Sequence, residues 1–422
     1  MPYGSSELGH ILQRIGILKT KCKDGCRKLA VDFDRKVLID KLWNVLKIAL
    51  TKIRKKILTI SDFQLLNLLA VGLGHKEPDV SLFSGQVDWK YIYQQARRQT
   101  VMGIVFDGLL KLPKKLQPPK NVFLQWYSVV LQIEKANCYL NDVLADVVQR
   151  YREGGFEPVL LKGQGLAQYY PNPLHRQPGD IDLYFDKDNE LADRLAHSWG
   201  NHFETDPKHH TAYYYRKIEI ENHWEYVFFY SEKNTQAWNN WMRNRALSGE
   251  ETLSMGDSQI LVPEPTVNAV YVLLHLLHHF LYVGVGFRQV CDWIQLLEKR
   301  SVAINRNAIA ELLEVLPIRR VVAALSYVAV TYLGMSKEVC LVDVDTPEAK
   351  KYGEIMLRDI LKMGNFGHDT AVGHSFKKGR LWRNLKAYVL AAFRQVRLYG
   401  FFPSEVKAYP IYWIREHIIR IK

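Results

Sequence analysis

The 422-residue sequence predicts an α+β protein in which a small mixed sheet is flanked by helical regions. Three observations carry this. Apolar residues recur at helical spacing through most of 37–152. Between 158 and 230 the pattern changes to short buried or alternating runs. After Pro263 helical spacing returns and continues to the end. These changes divide the chain into a basic amphipathic helical extension (1–60), an N-terminal helical region (61–152), an α/β core (153–262) and a C-terminal helical domain with a basic tail (263–422). At this length more than one structural unit is expected.

The elements follow in order. Leu42, Val45, Leu46, Ala49, Ile53 and Ile57 form one apolar stripe, and Lys41, Lys47, Lys52, Arg54, Lys55 and Lys56 fill much of the remaining surface. This is an amphipathic basic helix, suited to a membrane surface, a partner or the next packed unit. Ser61-Asp62 reads as a helix start, and 74–87, with Gly74, Pro78 and Gly85, as a loop. Helical spacing resumes at Asp88 and runs to Leu112, until Pro113, Pro118 and Pro119 break it. A long helix is expected from about Asn121 to Arg152, ended by Gly154-Gly155. Residues 158–161 and 179–185 read as strands, with a short helix from Gly165 to Tyr170 between them. A helix from Asn189 to Trp199 follows. Residues 211–230, rich in aromatic and β-branched side chains, form one long strand or a hairpin. The C-terminal helices are placed at 265–282, 287–300, 307–335, 347–363 and 379–399, with a last one from near Ser404.

Composition narrows the function classes. Hydrophobic residues make up 48% and charged residues 24%, which excludes disorder on a large scale. The net charge of +13 sits at the ends. Residues 1–60 hold 14 Lys/Arg against 5 Asp/Glu and residues 371–422 hold 11 against 2, leaving −5 for the middle. The basic termini suit nucleic acid or an anionic membrane surface, or are simply solvated helix faces. Five scattered cysteines, Cys22, Cys26, Cys138, Cys291 and Cys340, argue against a disulfide framework and for a reducing compartment. Cys22 and Cys26 form a lone C-x3-C, a weak zinc signal. No charged segment followed by an apolar block opens the chain, and 268–287 and 321–335 do not read as membrane spans. The expected setting is cytoplasmic, with membrane-peripheral attachment through the basic helix as the variant.

The chemistry concentrates between 160 and 224. Asp180 and Asp182 are two apart on a strand, so both carboxylates project to one face. They repel each other unless a divalent cation lies between them, and hard oxygen donors favour magnesium or manganese. Lys162-Gly163-Gln164-Gly165 joins a strand to a short helix, where glycines let the backbone approach a phosphate. Arg176 is placed to pair with a phosphate, to brace the carboxylates, or to fix its loop by an ion pair. Glu219 and Glu221, which share a strand face, are candidates for a third carboxylate. A dinucleotide fingerprint at 163–168 is disfavoured, because the third small residue is not at the right place and no β-α-β continuation sets an acid about 20 residues on along the right strand. His275 and His279 are one turn apart but lack a glutamate between them, so they read as packed helix residues, with His278 or His279, Arg288 and Asp292 able to face a cleft. His223 either orients the neighbouring acid or packs against Trp224. Tyr213, Tyr214 and Tyr215 read as core packing before base stacking.

Together these motifs resemble the nucleotidyltransferase superfamily. More closely, they resemble a poorly characterised bacterial nucleotidyltransferase family with the pattern L-K-G…A…Y-P…R…G-D-I-D-L and a later E-x-H-W. Here these are Leu161-Lys162-Gly163, Ala167, Tyr170-Pro171, Arg176, Gly179 to Leu183, and Glu221-Asn222-His223-Trp224. The resemblance runs from about 62 to at least 300. It implies a nucleotidyltransferase-type sheet, a magnesium or manganese cofactor, and a nucleoside triphosphate substrate. Its catalytic and metal residues would be Asp180, Asp182 and Glu221. Nucleotide contacts would come from Lys162, Gly163, Gln164, Gly165 and Arg176. The acceptor would be a small molecule, a protein or RNA. One departure matters: the superfamily's usual Gly-Ser pair is replaced by Lys162-Gly163-Gln164-Gly165, which leaves no serine for the γ-phosphate. The alternative is a catalytically silent nucleotide- or metal-binding module in a biosynthetic or regulatory system.

Overall fold

The structure, a computed structural model, describes residues 58–185, 189–206, 210–243, 245, 248–256, 258–365 and 394–414. The basic helix expected in the N-terminal extension, Cys22, Cys26, most of the helix expected over 379–399 and much of the basic C-terminal tail lie outside the described residues. Among the described residues no helix is long and apolar enough to cross a membrane.

The N-terminal region begins with α1 (Ile60–Gly72). Its cap is Thr59 rather than Ser61: the Thr59 hydroxyl accepts from the Asp62 amide at 3.2 Å, and Asp62 returns a bond to the Thr59 amide at 2.8 Å. Asp62 is therefore the third residue of a capping box. The expected helix over 88–112 is two, α2 (Trp89–Arg98) and α3 (Met102–Leu110). The break comes from a tertiary demand. Gln99 is fully buried and its amide donates to the Ile360 carbonyl at 2.9 Å, while Thr100 turns at φ 54°. α1 and α3 cross in backbone contact. A Cβ on Gly72 would lie 1.8 Å from the Ile104 carbonyl, and one on Gly108 would lie 1.9 Å from that of Leu68. The long helix α4 (Lys120–Glu153) matches its expectation and ends at Gly154.

Among the described residues seven strands form one mixed sheet in the order β3-β4-β5-β2-β1-β7-β6: β1 (Val159–Leu161), β2 (Ile181–Tyr184), β3 (Asn201–Asp206), β4 (His210–Tyr215), β5 (Ile218–His223), β6 (Ser248–Met255) and β7 (Ser258–Pro263). Helices α5 (Gly163–Ala167), α6 (Asn189–Ala196) and α7 (Glu232–Met242) join them. The ambiguity over 211–230 resolves as a hairpin. Arg216 and Lys217, at φ 48° and 66°, turn the chain between β4 and β5, as a two-residue turn with two positive φ angles does. Residues 224–230 leave the sheet. The central strand β2 pairs antiparallel with β1 and parallel with β5.

Period two splits the side chains of β2. Ile181 and Leu183 join Leu144, Val147 and Val148 of α4 in the core under one face of the sheet. Within this core Tyr151 donates to Asn222 Oδ1 at 3.0 Å, and Asn222 donates to Asp193 at 2.7 Å. The polar side chain of a central strand is thereby satisfied. Tyr213 and Tyr215 belong to the same core.

The C-terminal helices are α8 (Pro265–Tyr282), α9 (Phe287–Arg300), α10 (Arg306–Val315), α11 (Arg319–Leu333), α12 (Pro347–Met363) and α13 (Pro403–Ile414). The single helix expected over 307–335 is broken beside Pro317, which cannot supply a helical amide. Helices from both ends of the described chain meet. His75, just after α1, hydrogen-bonds the Leu333 carbonyl at 2.8 Å, and Gln295 of α9 donates to that of Leu73 at 2.9 Å.

Candidate functional site

The face of the sheet opposite the α4 core borders a cleft of about 440 Å³, whose far wall comes from α8 and α9. The register of the central strands decides what points into it. Asp182 on β2 lies directly beside Glu221 on the parallel β5, and on its other side opposite Leu161 at the end of β1. Asp180, two residues earlier, shares the face of Asp182. The carboxylate oxygens of Asp180, Asp182 and Glu221 come within 4.8 Å of one another. Glu219 stays exposed, opposite Tyr214 in the β4–β5 pair.

Lys162 and Gly163 both turn at φ 48° as the chain leaves β1. For a lysine this is a strained conformation, costing on the order of 1–3 kcal/mol. It carries the ammonium to 2.9 Å from Asp182 Oδ1. His223 Nε2 approaches the same carboxylate oxygen at 3.0 Å and Glu221 at 3.1 Å. Behind the lysine, His275 Nε2 lies 3.5 Å from the ammonium and 3.1 Å from His279 Nε2.

The charges interact strongly. Burial alone would raise Asp182, but Lys162 and His223 outweigh it and hold this carboxyl well below the usual range. Asp180 is pushed up, first by the charge of Asp182 and then by burial. Burial opposes the Lys162 ammonium, yet the carboxylates, Asp182 foremost, keep it above its ordinary value. His223 is likewise raised against burial by Asp182 and Glu221. On the helical wall burial wins: His275 falls far below its ordinary value, and His279 to about 3. Three carboxylates thus face one lysine. This excess of hard oxygen donors in a partly closed cleft fits a divalent magnesium-type cation held by Asp180, Asp182 and Glu221.

A family model for uncharacterised nucleotidyltransferases matches residues 85–334. The chain belongs to that family. No curated protein matches the sequence. A crystal structure of an antigenic nucleotidyltransferase-like protein from Paracoccidioides brasiliensis is similar at 15% identity and a TM-score of 0.28, over 47% of this chain and 93% of that one.

Within this family member the other motif residues divide. Lys162, Gly163, Arg176, Asp180, Asp182 and Glu221 all border the cleft. Gln164 and Gly165 do not. The Gln164 amide turns to Asn137 and Asn141 on α4, and a Cβ on Gly165 would press within 3.3 Å of Val262, so this half of the motif seats α5 on the sheet. The helix itself has only five residues, which gives little dipole for a phosphate. Arg176 is engaged in a bidentate pair with Asp292, at 2.7 and 2.8 Å, and Tyr170 donates to the same carboxylate at 2.7 Å. Of the three roles open to it, fixing its loop is the one its bonds serve. Arg288 donates to the Gln177 and Pro178 carbonyls at 3.2 Å each and so braces the approach to Asp180.

Sequence reasoning missed the aromatic segment Tyr226, Phe228 and Tyr230 at the cleft, because those residues were grouped with the strand before them. His210, to which the sequence gives no role, faces Glu221 at 3.7 Å. The contact of His275 with Lys162 was also missed. Its only signal is helical spacing with His279, which does not say what the shared face meets.

Proposed function

We propose that this nucleotidyltransferase family member moves a nucleotidyl group from a nucleoside triphosphate to an acceptor. The observation that carries the reading is the side-by-side placement of Asp182 and Glu221 with Asp180, three carboxylates within 4.8 Å in a cleft. Together they are suited to hold magnesium or manganese, which when bound neutralises phosphate charge and orients the reacting groups. Lys162 is a fixed cation at the cleft floor, paired to Asp182 and within reach of phosphate oxygens. Gly163 presents backbone beside it. An acceptor oxygen would bond to the α-phosphorus as the bond to the β-phosphate oxygen breaks, and pyrophosphate would leave with that electron pair. The acceptor is a small molecule, a protein or RNA; the net negative charge of residues 61–370 offers no general support for a long nucleic acid.

The test is transfer of label from each α-labelled triphosphate, with magnesium or manganese, in the wild type and in Asp182→Ala. Label that transfers equally in both proteins sinks the assignment. A second reading, a binding module without turnover, has one observation in its favour: Lys162 already sits 2.9 Å from Asp182 and supplies part of the cation's role. Triphosphate binding that depends on Asp182, with no transfer to any acceptor, would select it.

A further inference from the structure

We propose that the cleft carries a second cation position, built on imidazole, from His210, Glu221 and His223. It goes beyond nucleotidyl transfer, and needs only these three side chains. All three sit on the cleft face of adjacent antiparallel strands. His210 on β4 is directly opposite His223 on β5, with ring centroids 5.2 Å apart, and Glu221 is two residues before His223. The residue opposite Glu221 is the small Ala212.

The distances suit a small ion. Ligands about 2.0–2.1 Å from a tetrahedral centre stand roughly 3.4 Å apart. Here His210 Nε2 is 3.7 Å from one Glu221 oxygen and His223 Nε2 is 3.1 Å from the other, with all ligand atoms within 4.8 Å of one another. All three residues line the cleft, so an ion has an entry path and room for a further water or substrate ligand.

The chemistry of the donors names the class. Asp180, Asp182 and Glu221 present only oxygen, the preference of magnesium. Two imidazoles and one carboxylate select a borderline divalent transition ion of the zinc type. Without metal, His223 Nε2 stands between Asp182 and Glu221 as their hydrogen-bond partner. On binding, that nitrogen gives its proton to solvent and its lone pair to the ion, and both carboxylates remain beside the new positive charge. Glu221 belongs to both donor sets, so the two positions are neighbours and loading of one alters the other.

Cobalt(II) reports the site directly, because a low-coordinate cobalt ion bound by imidazole absorbs strongly in the visible. The full chain, stripped with chelator, is titrated with cobalt in excess magnesium. The wild type should develop the band, and zinc should displace it. Asp180→Asn should retain it, since that side chain contributes only to the oxygen set. His210→Asn should weaken cobalt binding at least about tenfold, and His223→Asn, checked for unchanged melting without metal, should do the same. No band in the wild type, a band unchanged in both histidine variants, or a band lost in Asp180→Asn would overturn the proposal. This readout is separate from turnover: loss of label transfer in Asp182→Ala bears on nucleotidyl transfer alone.

Discussion

Replacing Asp180 by asparagine should make the metal-free protein more stable, whereas the same change two residues on should make it less so. The oxygens of Asp180, Asp182 and Glu221 lie within 4.8 Å. Two like charges at that distance repel by about 3 kcal/mol at an effective dielectric of 20. For Asp180 that repulsion comes from two neighbours, and the Lys162 ammonium offsets much of it. The remainder is the upward push on the Asp180 carboxyl. Removing its charge should therefore gain stability at neutral pH, by less than the about 3 kcal/mol of one uncompensated repulsion. The sign follows from linkage. An acid raised above its unfolded value binds its proton more tightly in the folded state, so its ionisation destabilises the fold as pH rises. The gain in Asp180→Asn should accordingly vanish below about pH 4, where the carboxyl is protonated in both states.

Asp182 is the opposite case, held low by Lys162 and His223. Asp182→Asn leaves a buried ammonium without its partner and should cost about 3–5 kcal/mol. Its native contribution is present above the unfolded value and is lost as pH falls through the lower folded one. The assay is thermal melting in chelator across pH, repeated with magnesium or manganese. Added metal should stabilise the wild type by about 2.7 kcal/mol at a hundredfold excess over Kd, and should leave Asp180→Asn little changed. An Asp180→Asn protein that melts at or below the wild-type temperature in chelator at neutral pH would refute the reasoning.

Two further outcomes follow from the same geometry. Gln164→Leu removes the bonds from α5 to Asn137 and Asn141, so melting should report a loss of about 1–3 kcal/mol; because the side chain points away from the cleft, triphosphate affinity by calorimetry should change less than about threefold. Glu405 on α13 is 2% exposed and accepts from the amides of Tyr230 and Ser231 and the side chain of Asn234. Burial raises its carboxyl to about 7 from 4.5, so it should subtract about 3 kcal/mol of stability as pH rises from 4.5 to 7, and Glu405→Gln should flatten that part of the melting profile.

The chemistry of the site was more legible than its surroundings. The D-I-D strand shows itself because alternation sends Ile181 and Leu183 to one face and both aspartates to the other, and that needs no knowledge of neighbours. Glu221 is different. Its position beside Asp182 depends on β5 docking parallel to β2 after the β3–β4 excursion, and no local pattern encodes that register. The family resemblance chose it over Glu219. Strand β6, S-G-E-E-T-L-S-M, escaped because an edge strand has little need of apolar alternation. β3 escaped for the same reason. The break at 99–101 escaped because its cause is a bond to Ile360, far along the chain. Pro317, by contrast, was a visible helix breaker, and the long helix drawn through it had no such excuse. The glycine motif divides: Gly163 meets the cleft, while Gln164 and Gly165 meet protein, and spacing alone does not separate a backbone that lines a cleft from one that packs on a strand.

The cleft is drawn from distant stretches of chain. His223 reaches Asp182 across 41 residues, and Lys162 meets His275 across 113. A chain emerging from the ribosome therefore has its aspartates long before it has the wall that encloses them. Such far-separated pairings close slowly, because the loops between them must be ordered first. An ion or nucleotide that requires the whole cleft would be admitted only by a finished molecule, and its uptake would time-stamp the end of folding.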